Sequence, residues 1–514
     1  MAVASMWGFA LVGIEAVPVR VEAHARNGLP GVTIVGLPGA AVREARERIR
    51  SGAASSGLPL PTRRITINLS PGDVPKDGPG FDLPVALAIL AACGNVPVES
   101  VRGVGAVGEV SLDGLVRPTR GMLSVAESAG KIGADLLITP IEGLATASEV
   151  STIPVAGVRS LAEAVLVVKD AGARTRVVER GRRWLCICSA SSPAVGRDAL
   201  DLAEVAGHQA AKRALEIVAA GGHHLLMVGS PGAGKTMLAR RLVGILPPLT
   251  REEAVDVTRI WSVAGLQGPE TGLARDRPFR APHHTASCAA LVGGGATLRP
   301  GEVSLAHRGV LFLDELPEFS RDALEALRQP LEEGRIAISR RAGTSVFPAA
   351  FTLVAAMNPC RCGYLGHTEK ACRCPPSTIE TYRARISGPL LDRMDVLIEV
   401  PPLTLSALDV GNGGEASAVI QERVAAARAF RRQRSEHGGA ATPQALEERS
   451  GLTREARGLL RQALVREGLS GRAYVRVIGL ARTIADLDNV LPVGAEHLAE
   501  ALALRLDYRR VGLA

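Results

Sequence analysis

Aromatic residues are scarce in this chain: Phe, Trp and Tyr make up 3% of its 514 residues. Its cores must therefore rest mainly on Val, Leu, Ile and Ala, within a hydrophobic content of 46% that is ordinary for a globular protein. The chain also lacks any apolar run near the ~20 residues needed to cross a bilayer. Residues 1–10 lack the basic start of a secretory signal. We therefore expect a cytoplasmic protein that does not contact membranes.

Cysteine is also rare, with eight residues in the whole chain, which does not suit the disulfide framework of a small secreted protein. Four of the eight fall within residues 360–374, as two C-x-C pairs. Four thiolates in a short loop can complete a tetrahedral zinc site, although C-x-C is tighter than the usual spacing. We predict a structural Zn²⁺ without a catalytic role, with an iron–sulfur cluster or unliganded thiols as alternatives. The predicted ligands are Cys360, Cys362, Cys372 and Cys374.

The chain is basic, with a net charge of +8 and a pI near 9.3. Such a balance suits a polyanionic partner, but arginine-rich solvated helices produce the same total. Charge alone therefore favours nucleic acid only weakly.

Hydrophobic patterns divide the chain into four segments. Residues 1–170 alternate short strand patterns with helical ones, which predicts an α/β domain. Residues 171–197 have no sustained period and are interpreted as a linker. Residues 198–404 open with a helix, a buried strand, a glycine-rich loop and a second helix. Residues 405–514 are periodic in Leu and Ala against Arg and Glu, which predicts an all-α domain.

The glycine-rich loop satisfies the full G-x-x-x-x-G-K-[ST] pattern between a strand and a helix, the context that a P-loop requires. Its glycines let backbone N–H groups close around phosphates, and the following helix directs its positive end at them. We expect Lys235 to reach the β and γ phosphates of ATP and Thr236 to bind Mg²⁺. The predicted nucleotide-binding residues are Gly229, Ser230, Pro231, Gly232, Ala233, Gly234, Lys235 and Thr236.

Two later strands place polar residues at their ends. The apolar run 309–313 leads into Asp314, expected to hold Mg²⁺, and Glu315, expected to polarise the attacking water. The run 351–356 leads to Asn358, whose amide is expected to orient that water; a simple turn residue is the alternative.

These elements resemble the AAA+ superfamily and, within it, the magnesium-chelatase-like branch. By that resemblance Arg393, in the segment Leu390–Asp395, is an arginine finger, which acts on the γ-phosphate of a neighbouring subunit. Arg472 resembles the sensor-2 arginine of the helical lid, with Arg476 as the second choice and a solvated helix face as the bland interpretation. A finger implies a ring of identical chains, which is a hexamer by resemblance.

The segment from Arg335 to Phe347 alternates in the manner of a β-hairpin, with Arg340 and Arg341 near its tip. In helicase-type AAA+ rings a hairpin at this place projects into the pore. Phosphate contact by these two arginines would give sequence-independent, salt-sensitive DNA binding, and a surface hairpin with solvated arginines is the alternative. For the preceding pair His283–His284 we expect a structural or pore-loop role, because no further ligand lies at metal-binding spacing.

The segment Pro75–Asp82 resembles the active-site segment of Lon-type proteases, with Gly80 where the serine stands. Residues 117–123 resemble the stretch that holds the catalytic lysine, with Leu123 in its place. A Ser–Lys dyad needs a hydroxyl that attacks and an amine that takes its proton. Since glycine and leucine supply neither, we expect no peptidase activity.

The whole arrangement resembles the ComM/YifB group of magnesium-chelatase-like ATPases. The resemblance implies a Lon-like α/β domain, a parallel-sheet AAA+ core and an all-α lid. It also implies a cytoplasmic hexameric ATPase and helicase that acts on single-stranded or branched DNA, with recombination proteins as further partners, in branch migration during natural transformation. The alternative is a chelatase-type ATPase that remodels a partner protein for metal insertion into a tetrapyrrole.

Overall fold

The structure is a computed structural model that describes residues 3–191, 200–266, 272–295, 298–340, 343–367, 369–402, 414–434, 447, 450–467 and 470–510. Within these ranges no helix has the length and apolar character required to span a membrane. Two large sheets and a C-terminal group of helices make up the architecture, so the predicted fold class is confirmed. The boundaries between domains stay a prediction.

The N-terminal region contains nine strands and seven helices. The strands are β1 (Ala4–Val12), β2 (Glu15–Arg26), β3 (Gly31–Val35), β4 (Arg64–Ser70), β5 (Val104–Ala106), β6 (Glu109–Val110), β7 (Val116–Arg117), β8 (Leu136–Pro140) and β9 (Val155–Val158). The helices are α1 (Ala40–Ser55), α2 (Asp82–Ala92), α3 (Val98–Val101), α4 (Met122–Lys131), α5 (Leu144–Val150), α6 (Leu161–Lys169) and α7 (Ala171–Ser191).

Seven of these strands form one sheet in the order β3-β4-β2-β1-β5-β8-β9. Strand β2 pairs antiparallel with β1 and β4, and the remaining pairs are parallel. In β4 buried and outward residues alternate, as expected of a strand with one covered face. Helix α2 is buried along its whole length, which explains its nearly continuous apolar sequence.

The interpretation of residues 171–197 as a linker is wrong for most of that segment, because Ala171–Ser191 is helix α7. The helix packs against β9 and α6 and buries Ala173 and Val177. In residues 171–181, the part of α7 whose side chains the structure describes, the buried apolar positions are few, and the arginines between them obscure a helical period in the sequence. Tertiary packing has decided the conformation here.

The second region is built on a five-stranded parallel sheet. Its strands, with two small hairpins, are β10 (Leu225–Val228), β11 (Phe279–Arg280), β12 (Gly293–Gly294), β13 (Arg299–Pro300), β14 (Val310–Leu313), β15 (Arg335–Arg340), β16 (Gly343–Pro348), β17 (Thr352–Met357) and β18 (Val396–Glu399). The helices are α8 (Gln209–Gly221), α9 (Lys235–Ile245), α10 (Arg251–Ala264), α11 (Cys288–Val292), α12 (Glu302–Leu305), α13 (Arg321–Ala326), α14 (Arg328–Glu333), α15 (Pro376–Arg383) and α16 (Gly388–Leu391).

The order of the parallel sheet is β11-β14-β17-β10-β18, and every pairing in it is parallel. Strands β10, β14 and β17 are fully buried, as expected of a sheet covered on both faces. Ligands bind such sheets outside the carboxyl ends of the strands. That edge is therefore where the functional residues are sought.

Within the described residues, the C-terminal part contains four further helices: α17 (Ser417–Arg434), α18 (Arg454–Glu467), α19 (Gly471–Leu487) and α20 (Ala495–Arg510). Helix α17 packs on α8, α9 and α19, while α20 packs on β18. Apolar side chains of these helices and of the parallel sheet belong to one continuous buried cluster. The lid is thus joined to the sheet by a shared core.

A smaller apolar cluster joins the N-terminal region to the parallel-sheet region. Ile14, in the turn between β1 and β2, is buried with Ile260 and Val263 of α10 and with Phe347 of β16. Gly13, at φ 64°, lies so close that an added Cβ would stand 3.1 Å from Cβ of Ser345. The N-terminal region therefore contacts the base of the β15–β16 hairpin directly.

Candidate nucleotide site

The P-loop connects β10 to α9 at the carboxyl edge of the parallel sheet. Gly232 and Gly234 have φ values of 80° and 87°, a left-handed conformation that glycine adopts readily. The Lys235 ammonium donates hydrogen bonds to the carbonyl oxygens of Gly229 at 2.6 Å and Ser230 at 2.9 Å. Burial lowers the pKa of Lys235, and the charges of Asp314 and Glu315 oppose that shift.

The predicted magnesium ligands meet across two elements. Thr236, in the first turn of α9, donates its hydroxyl to Oδ2 of Asp314 at 2.7 Å, and Asp314 follows β14 directly. A hydroxyl and a carboxylate are hard oxygen donors of the kind that Mg²⁺ prefers. The chemistry of this donor pair therefore fits the cation predicted from the sequence.

Asn358 follows β17, the strand between β14 and β10, and lies at the same edge. Its Oδ1 accepts a hydrogen bond from the Lys235 ammonium at 3.1 Å. The structure thus brings together the P-loop lysine, the acidic pair and this amide, which are far apart in sequence. This convergence favours the predicted functional role of Asn358 over a simple turn residue.

Glu315 has a left-handed backbone, with φ of 52°, which is uncommon outside glycine. Its Oε2 lies 3.2 Å from Nδ1 of His284. A structural or pore-loop role was expected for this histidine from the sequence, and its contact with Glu315 was not predicted. The adjacent strand β11 is two residues long, so the sequence held no strand pattern that would have placed His284 beside β14.

Arg393 lies at the opposite edge of the sheet. It precedes β18, whose Val396–Glu399 runs parallel to Leu225–Val228 of β10. Because a four-residue strand spans about 13 Å, Arg393 is at the amino end of the sheet and the P-loop is at the carboxyl end. The guanidinium is buried, donates to the carbonyl of Pro389 at 2.5 Å and forms an ion pair with Glu332.

The two lid arginines also lie at this amino edge. Arg472 is 64% exposed in its side chain and stands 4.0 Å from Glu332. Arg476 donates to the carbonyl of Arg393 at 2.7 Å and forms an ion pair with Asp395. Since Arg476 has these partners within the chain, Arg472 is the freer of the two.

Two histidines extend this network into the sheet. Burial lowers the pKa of His224 to about 4, so the ring is neutral and its Nδ1 accepts from the backbone of Leu353 at 3.1 Å. His223 hydrogen-bonds to Thr483 of α19 at 2.8 Å. Polar contacts as well as apolar packing therefore connect the lid to the sheet.

The four clustered cysteines converge on one point after β17. Their sulfur atoms all lie within 4.8 Å of one another, with Cys360 Sγ 3.3 Å from Cys362 and 3.5 Å from Cys372. Ligand sulfurs of a tetrahedral zinc site with ~2.3 Å bonds are about 3.8 Å apart, so the set has the dimensions of such a site. Backbone N–H groups of Tyr364 and Arg373 lower the pKa of the Cys362 thiol to about 6. The pKa of the Cys372 thiol, although the backbone N–H of Cys374 lowers it, is raised overall by desolvation and by hydrogen bonds to Cys360 and Cys362.

The cysteine loop also contacts the P-loop. Gly363 has φ of 84°, and an added Cβ would lie 2.5 Å from Cδ of Pro231. Only glycine permits so close an approach of the two loops. The metal-binding geometry is thus adjacent to the phosphate-binding loop, a proximity that no spacing rule indicated.

The β15–β16 hairpin forms as predicted, with Arg335 opposite Pro348 and Arg340 opposite Gly343. Arg340 ends β15, but the placement of its side chain is outside the described structure, and Arg341 lies outside the described residues altogether. The hairpin is therefore confirmed, and its contact with DNA stays a prediction.

The Lon-like segment of the N-terminal region carries no nucleophile. Gly80 lies in a short 3-10 turn, where an added Cβ would stand 3.3 Å from Val107 and 3.6 Å from Oγ1 of Thr119. Leu123 is fully buried in α4. Neither position supplies the hydroxyl or the amine that a Ser–Lys dyad needs.

Three family models match the chain. The model described as "Magnesium chelatase, subunit ChlI" matches residues 201–408, and that described as "Subunit ChlI of Mg-chelatase" matches residues 21–143. The model described as "Magnesium chelatase, subunit ChlI C-terminal" matches residues 414–505. Together they reach from the N-terminal sheet to the last helix.

Similar proteins extend over almost the whole length. The competence protein ComM of Haemophilus influenzae is 42% identical over 99% of this chain and 98% of its own. The protein YifB of Salmonella typhimurium is 41% identical over 96% of each chain. A Lon protease of Mycolicibacterium smegmatis is 31% identical over 26% of this chain and 18% of its own.

Proposed function

Because the chain belongs to the ComM/YifB family of magnesium-chelatase-like AAA+ proteins, we propose that it is an ATP-hydrolysing hexameric ring motor that acts on DNA, in helicase or branch-migration steps of recombination during natural transformation. The observation that carries the ATPase is the meeting of Lys235, Thr236, Asp314 and Asn358 at one edge of the sheet. A P-loop together with an acidic pair is the set of groups that catalyses phosphoryl transfer to water.

In the proposed reaction, water attacks the γ-phosphorus of ATP and forms a new P–O bond. The bond from the γ-phosphorus to the bridging oxygen breaks, and ADP leaves with that electron pair. Glu315 takes the proton from the water, while Asn358 orients it. Lys235 exchanges its carbonyl partners for phosphate oxygens. Thr236 and Asp314 would hold Mg²⁺, which neutralises charge on the phosphates.

The position of Arg393 supports a ring as the active species. Because it lies at the edge opposite its own P-loop, it suits the nucleotide of an adjacent chain better than its own. Arg472 lies beside it through Glu332 and is proposed to act on the same neighbouring site. Release of Arg393 from Glu332 would accompany assembly.

A mixing experiment tests the ring. Lys235→Ala and Arg393→Ala chains should each be inactive, whereas a mixture should recover part of the turnover in sites that pair an intact P-loop with an intact finger. Absence of recovery in rings shown to contain both chains would contradict action between subunits.

The proposed DNA role rests on three supports. The relative from Haemophilus influenzae is named as a competence protein. The chain has a net charge of +8. The β15–β16 hairpin belongs to the same parallel-sheet region as the nucleotide site, and Arg340 is the last residue of its first strand.

The DNA role is tested by ATP turnover with and without single-stranded and forked DNA, together with binding at several salt concentrations. Turnover should rise with DNA, and an Arg340→Ala/Arg341→Ala variant should lose that stimulation and flatten the salt dependence. Arg335→Ala, at the base of the same hairpin beside Glu333, is the control and should keep both. No DNA stimulation and no salt-sensitive binding would eliminate the DNA motor.

A second candidate is a chelatase-type ATPase that remodels a partner for metal insertion into a tetrapyrrole. It is favoured by the descriptions of the matching family models, which refer to a subunit of magnesium chelatase. Stimulation of turnover by the tetrapyrrole-binding subunit of a chelatase, and not by DNA, would select it.

We further propose that Cys360, Cys362, Cys372 and Cys374 hold a structural Zn²⁺. Four sulfur ligands leave no open coordination position, so its role would be to fix the loop that touches Pro231.

A further inference from the structure

We propose that the uncovered face of the N-terminal sheet, over β1, β2, β3 and β4, is a binding surface for single-stranded DNA. The inference rests on the proposed function, because a motor on DNA brings this polyanion to the protein. It is carried by the register that sets Arg26 directly opposite Arg64 on that face, and by the stack of Arg20 on Trp7 at its other end.

The two faces of these strands differ in burial. In β4, Ile65 is 2% exposed and belongs to the apolar core that α1 and α2 share, whereas the alternating residues Arg64 and Asn68 are exposed. In β2 the buried Val21 alternates in the same way with the exposed Arg20. Since successive side chains of a strand point to opposite faces, the exposed residues line one surface. Within the described residues that surface is open to solvent.

Helix α4 covers the neighbouring part of the same face. There Phe9 of β1, two residues beyond Trp7, is buried with Val125 of α4. Trp7 itself is half-buried against that cluster. The open surface therefore lies between α4 and β3, the strand at the end of the sheet.

The charge of the open surface is positive. Arg26 and Arg64 are partners in the antiparallel β2–β4 register, and both are exposed. Directly opposed side chains in such a pair have Cβ atoms about 4.5–5.5 Å apart, and like charges there are destabilising. Among the described residues neither arginine has an ion pair with a carboxylate. Glu22, on the same face, accepts a hydrogen bond from Asn68 at 2.9 Å. An anionic partner would relieve the repulsion between the two arginines.

The other end of the surface supplies a plane on which a base can stack. The guanidinium carbon of Arg20 lies 4.5 Å from the ring centroid of Trp7, and its Nη1 donates to Oγ of Ser5 at 3.5 Å. Proteins stack unpaired bases on aromatic rings and on arginine planes. Because Trp7 covers one side of the guanidinium, a base would stack on the other side.

The Arg20 end opens into a cavity of about 460 Å³. Its walls include Trp7 and Arg20, and also Glu99, Arg102 and Asp135. Glu99 forms an ion pair with Arg102 at 3.8 Å, so acidic and basic groups offset each other in this cavity. Attraction of a polyanion therefore comes mainly from the Arg26–Arg64 end.

The middle of the surface is polar. His24 of β2, Thr66 of β4 and Thr33 of β3 lie opposite one another, and such side chains commonly hydrogen-bond to phosphates. Six residues along β2 separate Arg20 from Arg26, a span of about 20 Å. A stacked strand has one phosphate per about 3.4 Å, so the surface fits about six nucleotides. Stacking requires an unpaired base, which favours a single strand over a duplex.

The test measures the affinity of the full chain, without ATP, for an oligothymidylate of about 16 nucleotides at several salt concentrations. Arg26→Ala/Arg64→Ala should weaken binding and flatten the plot of log Kd against log salt by about 1.4, since each phosphate contact with a single strand contributes ~0.7. Arg20→Lys keeps the charge and loses the plane, so it should weaken binding with an unchanged slope. Arg43→Ala/Arg50→Ala is the matched control.

The control removes the same charge from exposed positions of α1, a helix that packs with α2 on the buried side of the sheet. Its affinity should stay within about twofold of that of the unaltered chain, because salt screens exposed charges beyond ~10 Å. The midpoint of thermal unfolding should not fall in Arg26→Ala/Arg64→Ala, because that variant loses a like-charge pair. Weaker binding in a fully folded variant then reports a lost contact with DNA.

Three results would overturn the inference. They are no salt-sensitive binding by the unaltered chain, equal binding by Arg26→Ala/Arg64→Ala and the control, or an altered mass of the assembly with unchanged DNA affinity. The last result would make the face a contact between copies of the chain. ATP turnover tests the proposed function separately. Binding that requires Arg26 and Arg64 without stimulation of turnover would support the surface and contradict the motor, whereas stimulation that ignores both arginines would contradict the surface alone.

Discussion

The two α/β regions of this chain each contain a turn that resembles the active-site segment of an enzyme, and of these two turns the P-loop alone carries the groups that its resemblance calls for. At the P-loop, Lys235 donates hydrogen bonds to the carbonyl of Gly229 at 2.6 Å and to Asn358 at 3.1 Å, and Thr236 donates to Asp314 at 2.7 Å. At the Lon-like turn, Gly80 has no side chain and Leu123 is buried among apolar groups. Both regions have buried apolar cores, so the difference between the two turns lies in their functional groups.

Packing and catalytic chemistry are therefore separable in one molecule. Each region even buries a lysine. Lys76 is fully buried and its ammonium bonds to the carbonyl of Pro71, and burial lowers its pKa as it does for Lys235. What distinguishes Lys235 is its surroundings: a glycine loop at a helix start and an acidic pair across from it. A buried amine is therefore insufficient evidence of a catalytic site.

The largest expected effect on ATP turnover comes from replacing each of the two buried lysines separately. Lys235→Ala should reduce ATP turnover by at least about a hundredfold, because a preorganised charge at the phosphates is lost. Lys76→Met, which keeps the aliphatic stem, should leave turnover within about twofold while altering stability. Phosphate release and thermal unfolding of both variants measure this. Loss of turnover in the Lys76 variant, with its fold intact, would contradict the view that the buried lysine of the N-terminal region has no part in ATP hydrolysis.

The second effect concerns the cysteine loop, which lies beside the P-loop. Cys374→Ser should abolish the zinc content, expected at one ion per chain, and lower the thermal midpoint. A loss of ~3 kcal/mol would shift that midpoint by roughly 6–12 °C in a domain of this size. Metal analysis and calorimetry measure it. Cys93→Ser, in the N-terminal region, is the control and should keep the metal; full zinc content in Cys374→Ser would contradict the site.

How far the sequence predicts the site depends on the range of the signal. The P-loop, Asp314 and Asn358 were predictable because each follows an apolar strand with its own local pattern. The contact of His284 with Glu315 was not, because His284 follows a two-residue strand, β11, whose Phe279 pairs with Val310 of β14, 31 residues further along the chain. Helix α7 was missed for a related reason: its conformation depends on a few contacts with β9 rather than on a local period. The approach of Gly363 to Pro231 is likewise purely tertiary.

The N-terminal region, which lacks the catalytic dyad, is expected to support the β15–β16 hairpin. Ile14→Ala removes part of the apolar cluster at the base of the hairpin and should cost about 2–5 kcal/mol of stability. It should also weaken any DNA stimulation, because Phe347 and Ser345 of the hairpin lose their support. Val12→Ala, at the end of β1 beside that turn but 38% exposed, is the matched control. Unfolding curves and DNA-stimulated turnover distinguish the Ile14→Ala and Val12→Ala variants. Equal stability and equal stimulation in both variants would contradict a supporting role of the N-terminal region.

The smallest expected effect is the most direct test of the comparison. Gly80→Ser restores a hydroxyl at the Lon-like turn. The φ of Gly80 is not in the left-handed range, and the nearest atom to its added Cβ is a Val107 methyl carbon at 3.3 Å, so serine fits after a small shift. Peptidase activity against an unfolded protein should remain undetectable and ATP turnover should stay within about twofold, because a hydroxyl without an adjacent base is a weak nucleophile. Appearance of peptidase activity would show that a base, with Lys76 as the nearest candidate in sequence, is already in place. Adding Leu123→Lys should not produce peptidase activity without a loss of stability. Leu123 is fully buried, so a lysine there loses its hydration, at a cost of several kcal/mol.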